Sequence, residues 1–140
     1  MPDETIVCVS GYFNPLHIGH IEYFEKSKLL GNKLVVIVNN DRQSFLKKGS
    51  SFMPENERLN IIRKLRVVDM AVLSIDEDRT VIKTLECIRP HIFTNGGDQT
   101  NDTIPEKDIC DKLGIKLIDG MGDKIQSSSL LLSNLKKLII

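Results

Sequence analysis

The sequence predicts an α/β fold of three layers, with a five-stranded parallel sheet between two layers of helices. Three observations predict it. Short, β-rich apolar runs alternate strictly with longer amphipathic ones. The short runs are almost continuously apolar, as befits strands buried on both faces. The segments after them, 10–20, 39–51, 95–103 and 120–129, are unusual in composition, and the carboxyl ends of parallel strands are where such sheets bind ligands.

The elements follow in order. Thr5-Ile6-Val7-Cys8-Val9-Ser10 is a strand that ends at Gly11. From His17 or Ile18 to Leu30 apolar residues recur at helical spacing (Ile18, Ile21, Phe24, Leu29, Leu30), and Gly31-Asn32 closes the segment as a C-cap. Leu34-Val35-Val36-Ile37-Val38 is the clearest strand. A polar stretch, 39–54, reads as a loop carrying Lys47 and Lys48. Pro54-Glu55-Asn56-Glu57 opens a helix, with proline near its first turn and acids favouring the dipole. Its inward residues are Leu59, Ile62 and Leu65. Met70 to Ser74 is the third strand, a helix runs from Arg79 to Ile88, and His91-Ile92-Phe93-Thr94 is the fourth strand, ending in a turn at Asn95-Gly96-Gly97-Asp98. Ile104-Pro105 opens a helix to Leu113-Gly114, and Ile115 to Ile118 is the fifth strand. Ser127-Ser128-Ser129 reads as the N-cap region of a final helix. No repeat, linker or second domain interrupts the 140 residues, which read as one domain, 1–140.

Composition narrows the function. Nineteen basic and nineteen acidic side chains cancel, which argues against a general nucleic-acid or membrane-surface binder. No apolar run approaches a membrane span of about 20 residues, and the acidic start lacks a signal-peptide pattern. Three widely spaced cysteines, Cys8, Cys87 and Cys110, read as reduced thiols of a cytoplasmic protein.

One motif carries chemistry. Gly11-Tyr12-Phe13-Asn14-Pro15-Leu16-His17-Ile18-Gly19-His20 is a strand end, a glycine turn, a proline loop and a helix start. Free amides at such a start make an anion site. His17 and His20 lie three apart, so on a helix they share one face, and Gly19 between them lets a ligand approach the backbone. A lone histidine there would read as structural, but H-x-G-H arises by chance in roughly 1 chain in 250 of this length. A zinc pair would need a third ligand, and none is evident. Taken singly, Lys47-Lys48 reads as a solvated loop, 127–129 as a cap, 95–98 as a turn and Arg58 as an exposed helix residue. All of them fall on the sheet's carboxyl side. His91, inside a strand, reads as structural, and Phe45 and Phe52 as anchors of the lysine loop.

With these residues in place, 5–130 resembles the cytidylyltransferase-like nucleotidyltransferase family, whose signature is His17-Ile18-Gly19-His20 after the first strand. The nearest resemblance is to glycerol-3-phosphate cytidylyltransferases and to the nucleotidyltransferase domain of bacterial ADP-heptose synthesis. Matching segments include Leu34 to Asp41, Lys47-Lys48-Gly49, Glu57-Arg58, Val67-Val68-Asp69, Asn95-Gly96-Gly97-Asp98 and Ser127-Ser128-Ser129. Three departures stand out. Asn14-Pro15 replaces the usual Asp-Leu or Asp-Ile; Lys124 is the sole cation near 127–129, where many members carry arginine; and Leu130-Leu131-Leu132 is unusually apolar.

The resemblance implies a Rossmann-like fold and attack by an acceptor's phosphate oxygen on the α-phosphorus of CTP or ATP, with release of pyrophosphate. In that reading His17 and His20, with Lys47 or Lys48, are catalytic. Tyr12, Phe13, Gly19, Gly96, Gly97, Asp98, Ser127, Ser128 and Ser129 bind the nucleotide. Asn14, Arg58 and Lys124 face the acceptor or phosphates. Mg²⁺ accompanies the triphosphate, no residue is assigned to a protein-held metal, and the protein is a cytoplasmic homodimer. A sugar or polyol phosphate leads as acceptor because of Gly96-Gly97-Asp98, with FMN next. Two other readings are a nucleotide-binding module without turnover and a flavodoxin-like signalling domain that binds no triphosphate.

Overall fold

The computed structural model describes residues 4–50, 52–96 and 104–121. Five parallel strands form one sheet: β1 (Ile6–Gly11), β2 (Lys33–Val38), β3 (Met70–Leu73), β4 (Ile92–Gly96) and β5 (Lys116–Met121). Their spatial order is β3-β2-β1-β4-β5. The order reverses between β1 and β4, so the crevice at their carboxyl ends is the switch point where such sheets receive ligands. The helices are α1 (Ile18–Lys28), α2 (Asp41–Lys48), α3 (Glu55–Arg63), α4 (Ile82–Ile88) and α5 (Lys107–Leu113). This is the Rossmann-like α/β arrangement that the alternating pattern predicts.

Two apolar clusters lie on opposite faces of the sheet. Val7, Val9, Leu34, Val36, Val38 and Ala71 pack with Phe24 of α1 and Ile62 of α3. Cys8, Val35, Ile37 and Phe93 pack with Leu85 of α4 and Cys110 of α5. Neighbours in β1 and β2 thus enter alternate cores, which explains why neither strand alternates polar with apolar residues. Leu59 and Leu65 pack half-buried against the first cluster.

Several elements depart from the sequence reading. The polar stretch after β2 contains a helix, α2, between Asn40 and Gly49. The Asn40 side chain accepts from the Gln43 amide at 2.9 Å, while Gln43 Oε1 accepts from the Asn40 amide at 2.9 Å. Gly49 ends the helix at φ 75°, the left-handed conformation that glycine adopts at low cost. These caps suffice where the apolar pattern is nearly absent. Pro54 is the N-cap of α3, next to its first turn as the sequence reading has it. Helix α4 begins at Ile82, not Arg79. Asp76 holds the preceding loop: its carboxylate accepts from the Lys83 amide at 2.8 Å, the Thr84 amide at 3.0 Å and the Thr84 hydroxyl at 2.6 Å. Strand β4 continues through Asn95 to Gly96, where a turn was anticipated, and β5 runs on to Met121. The anticipated last helix lies outside the described residues.

Candidate active site

The loop 12–17 joins β1 to α1 across the carboxyl edge of the sheet. Its first fixed point is Phe13, a non-glycine residue at φ 51°. The strained backbone turns the ring inward, where it is 3 % exposed. The ring meets His20 edge-on at 4.9 Å and Phe24 at 5.2 Å between centroids. It also covers Gly11: a Cβ at that position would lie 2.7 Å from Phe13 Cζ. Glycine at 11 therefore serves close approach.

Asn14 precedes a cis peptide bond to Pro15. Its side chain is buried, and its Oδ1 accepts the Met53 amide at 2.8 Å. Asn14 was expected to face the acceptor or phosphates; its oxygen latches the loop to the segment ahead of α3.

His17 is the N-cap of α1, so only His20 is within the helix. The two side chains nonetheless come together, stacked with centroids 3.7 Å apart and planes 21° apart. His17 Nδ1 accepts the Gly19 amide at 3.1 Å, and His20 Nδ1 accepts the His17 amide at 3.1 Å. The pair thus forms a capping box, in the place usually taken by Ser or Thr and Glu or Gln. An Nδ1 that accepts an N–H carries no proton, so each neutral ring holds its proton on Nε2. Neither Nε2 finds a partner among the described residues. Burial holds the His17 imidazole below its ordinary pKa, and burial reinforced by His17 lowers that of His20 to about 3. The result is two neutral Nε2–H donors beside the amides of a helix start.

Arg58, on α3, is 1 % exposed. Its Nε donates to the Met53 carbonyl at 2.9 Å, and its NH1 to the carbonyls of Tyr12 at 2.9 Å and Asn39 at 2.6 Å. Its NH2 pairs with Asp41 Oδ1 at 2.8 Å. Arg58 was expected to face the acceptor or phosphates, and the structure places it beneath the loop 12–17. Its donors are committed to fastening the loops that follow β1 and β2 to α2 and α3.

Lys47 and Lys48 stand on the last turn of α2, not on a loop. Lys47 Nζ lies 4.4 Å from the centroid of the half-buried Tyr12 ring. Side-chain amides anchor α2: Asn40 Nδ2 donates to the carbonyls of Ser74 and Asp76, each at 3.0 Å. Gln43 Nε2 donates to Asp78 at 2.7 Å and Thr80 at 2.8 Å. The start of α2 is therefore held against the β3–α4 loop, with the lysines exposed at its other end. Sequence reasoning missed these two amides, although Asn-x-x-Gln is itself a capping-box spacing.

On the other side of β1, Tyr23 of α1 donates to the Thr94 carbonyl at 2.6 Å, and the Ser27 and Thr94 hydroxyls lie 2.9 Å apart. These contacts fix α1 to the end of β4, beside Asn95. Asn95 Nδ2 is buried and finds no hydrogen-bond partner among the described residues. Gly96 ends β4 here, while Gly97, Asp98, Lys124, Ser127, Ser128 and Ser129 lie outside the described residues.

A parallel sheet whose first strand leads through a glycine-started loop to paired, neutral histidines at a helix start defines a nucleotidyltransferase of the H-x-G-H type. The comparisons place the protein further: its residues 8–128 match the family model described as Cytidylyltransferase-like, and the chain belongs to that family. It is 36 % identical over 124 residues to the bifunctional protein HldE of Syntrophotalea carbinolica, covering 84 % of this chain and 25 % of that protein. It is 36 % identical over 137 residues to the FAD synthase of Thermoplasma volcanium, covering 95 % of each chain. The chain thus spans about a quarter of the first relative and nearly the whole of the second. Among solved structures, a lipopolysaccharide core biosynthesis protein from Thermoplasma volcanium superposes with a TM-score of 0.74 at 32 % identity, covering 86 % of this chain and 99 % of that one.

Proposed function

We propose that the protein transfers a nucleotidyl group from ATP or CTP to the phosphate of a small phosphomonoester, releasing pyrophosphate. The reading is carried by the fixed tautomer of His17 and His20, whose Nδ1 atoms are both occupied by backbone amides. An acceptor phosphate is already an anion, so the step needs no general base. An acceptor oxygen forms a bond to the α-phosphorus as the bond to the pyrophosphate oxygen breaks. Charge accumulates on phosphate oxygens, where fixed neutral N–H donors stabilise it. The amides at the start of α1 add to this field, and Lys47 or Lys48 supplies a positive charge. Gly19 serves by donating its amide to His17. Gly97, Asp98, Ser127, Ser128 and Ser129 complete the nucleotide site in this reading, and Lys124 adds a cation.

Mg²⁺ is proposed to arrive on the triphosphate. The ion would be held by phosphate oxygens and water; among the described residues no three His, Cys, Asp or Glu side chains gather into a metal site. Among those residues no helix is long and apolar enough to cross a membrane. Action in the cytoplasm, as a homodimer, remains part of the proposal.

A sugar or polyol phosphate is the first acceptor, supported by the Asn95-Gly96-Gly97-Asp98 segment and the HldE relatives. FMN is the second, supported by the end-to-end match with an FAD synthase. Pyrophosphate release with Mg²⁺ tests both. ATP and CTP are run separately against glycerol 3-phosphate, a heptose 1-phosphate and FMN, with acceptor-free controls. Acceptor-dependent release with one triphosphate is the expected result. No release and no triphosphate binding would overturn the reading.

A further inference from the structure

We propose that Tyr23 is a positioning residue: its hydroxyl stands in place of the last rung between β1 and β4, and so holds open the floor of the crevice that takes the triphosphate. The inference rests on the nucleotidyl-transfer reading. Among the described residues β1 and β4 pair at Val7–Ile92 and Cys8–Phe93 and no further, although β1 runs to Gly11 and β4 to Gly96. The next pair in that register, Val9 with Thr94, would be closed by a bond from the Ser10 amide to the Thr94 carbonyl. Ser10 has the direction for it. Its neighbour Gly11 accepts the Asn39 amide at 2.9 Å on the β2 side. Successive residues of a strand bond to alternate sides, so Ser10 turns to β4.

The Thr94 carbonyl has another partner. It accepts the Tyr23 hydroxyl, from α1, at 2.6 Å. The Thr94 hydroxyl lies 3.3 Å from the same phenol oxygen and 2.9 Å from the Ser27 hydroxyl. Tyr23, Ser27 and Thr94 are all buried, so water does not compete for these groups. Burial also pushes the Tyr23 phenol up in pKa, and a phenol that stays protonated stays a donor.

A tie between α1 and β4 does not by itself require a missing rung, because a carbonyl oxygen can accept two hydrogen bonds. The rung is missing at the switch point, where β1 leads to the histidine loop and β4 leads to Asn95. On the other side of β4 the ladder slips at the same place. Thr94 pairs with Ile118 and Gly96 with Met121, so β5 holds one extra residue there. Irregularities of this kind occur beside ligand sites and re-aim the residues around them. A Ser10–Thr94 bond would draw the two strand ends to the ladder spacing of about 4.8 Å, and a nucleotide seated between them needs them apart.

Tyr23→Phe keeps the ring and removes the oxygen. The carbonyl it leaves is buried, and the Ser10 amide is the donor that the register supplies. A coupling through the hydrogen bond, from the Ser10 nitrogen to the Thr94 carbonyl carbon, is read by NMR. It should be absent in the wild type and appear in Tyr23→Phe. Triphosphate affinity, measured by calorimetry with Mg²⁺ and no acceptor, should fall about tenfold or more in that variant. In turnover the triphosphate KM should rise by a similar factor, with the acceptor KM unchanged within about twofold. Ser27→Ala is the control. It loses a hydroxyl of the same cluster and keeps the Tyr23–Thr94 bond, so its denaturant midpoint should drop while triphosphate affinity holds. A Ser10–Thr94 coupling already present in the wild type would overturn the proposal. So would a Tyr23→Phe protein that lacks the coupling, or one that binds triphosphate as the wild type does. If the wild type binds no triphosphate, the reaction reading fails, and the coupling still decides whether Tyr23 holds the strands apart.

Discussion

His20 Nδ1 accepts the backbone amide of His17 at 3.1 Å, so the second histidine of the motif caps the residue that bears the first. Together with the bond from the Gly19 amide to His17 Nδ1, this makes one feature serve two ends. It starts helix α1, and it fixes both imidazoles as Nε2–H donors. The two roles are separable by substitution.

Asparagine is a good N-cap and lacks an imidazole N–H at the Nε2 position. His17→Asn should therefore keep the helix start, whereas His17→Ala should cost about 1 kcal/mol of stability. Both should lose about 100-fold or more in kcat, the loss expected for one transition-state donor. The double variant His17→Ser with His20→Gln restores an ordinary capping box. It should unfold near the wild-type denaturant midpoint and show no measurable turnover. Denaturation curves and pyrophosphate release on the same preparations check both halves.

The lowered pKa values predict how stability follows pH. Folded His20 stays neutral down to about pH 3, while an unfolded histidine takes up a proton near 6.5. Between those limits the unfolded state binds more protons, so stability is full above about pH 6.5 and falls as the pH drops below it. The slope for this one group is about 1.4 kcal/mol per pH unit within that window. Urea midpoints at pH 7, 6 and 5 should decline, and less steeply in His20→Gln. A histidine ring proton signal for His20 that shifts between pH 7 and 5 would contradict the neutral donor.

Gly11→Ala tests the packing beneath the pair. The added Cβ would lie 2.7 Å from Phe13 Cζ and 2.8 Å from Cε1. Phe13 has little room to move, since its ring is 3 % exposed and touches both His20 and Phe24. Overpacking of this kind costs about 1–3 kcal/mol. The displacement should reach His20, so kcat should fall more than either substrate's KM rises. Steady-state kinetics below the variant's unfolding temperature would show it.

Much of this arrangement was legible in the sequence. The five strands, the H-x-G-H position and the carboxyl-edge loops could be read because each rests on a local signal: β-branched apolar runs, a rare spacing, or glycine turns. Helix α2 was missed because it buries Gln43 and Ser44 rather than an apolar stripe. The amide side chains that anchor it reach residues 34 to 37 positions away. The hydrogen bonds of Arg58 and Asn14 were not legible in the sequence. Their partners, Met53, Tyr12 and Asn39, become neighbours only when the β1 and β2 loops converge, and no spacing along the chain encodes that.

Arg58 supplies the last prediction. Arg58→Met would remove the donors from the carbonyls of Tyr12, Asn39 and Met53 and the partner of Asp41. Breaking a buried charged network from one side costs about 3–5 kcal/mol. Arg58→Lys should recover little, because a single ammonium does not reproduce a planar fork of donors that meets four acceptors. A residue that holds loops should lower the denaturant midpoint and weaken triphosphate and acceptor alike. A residue that binds acceptor should leave the midpoint unchanged and raise one KM. Unfolding midpoints and both KM values, measured on Arg58→Lys, should therefore move together: lower stability with both affinities weakened.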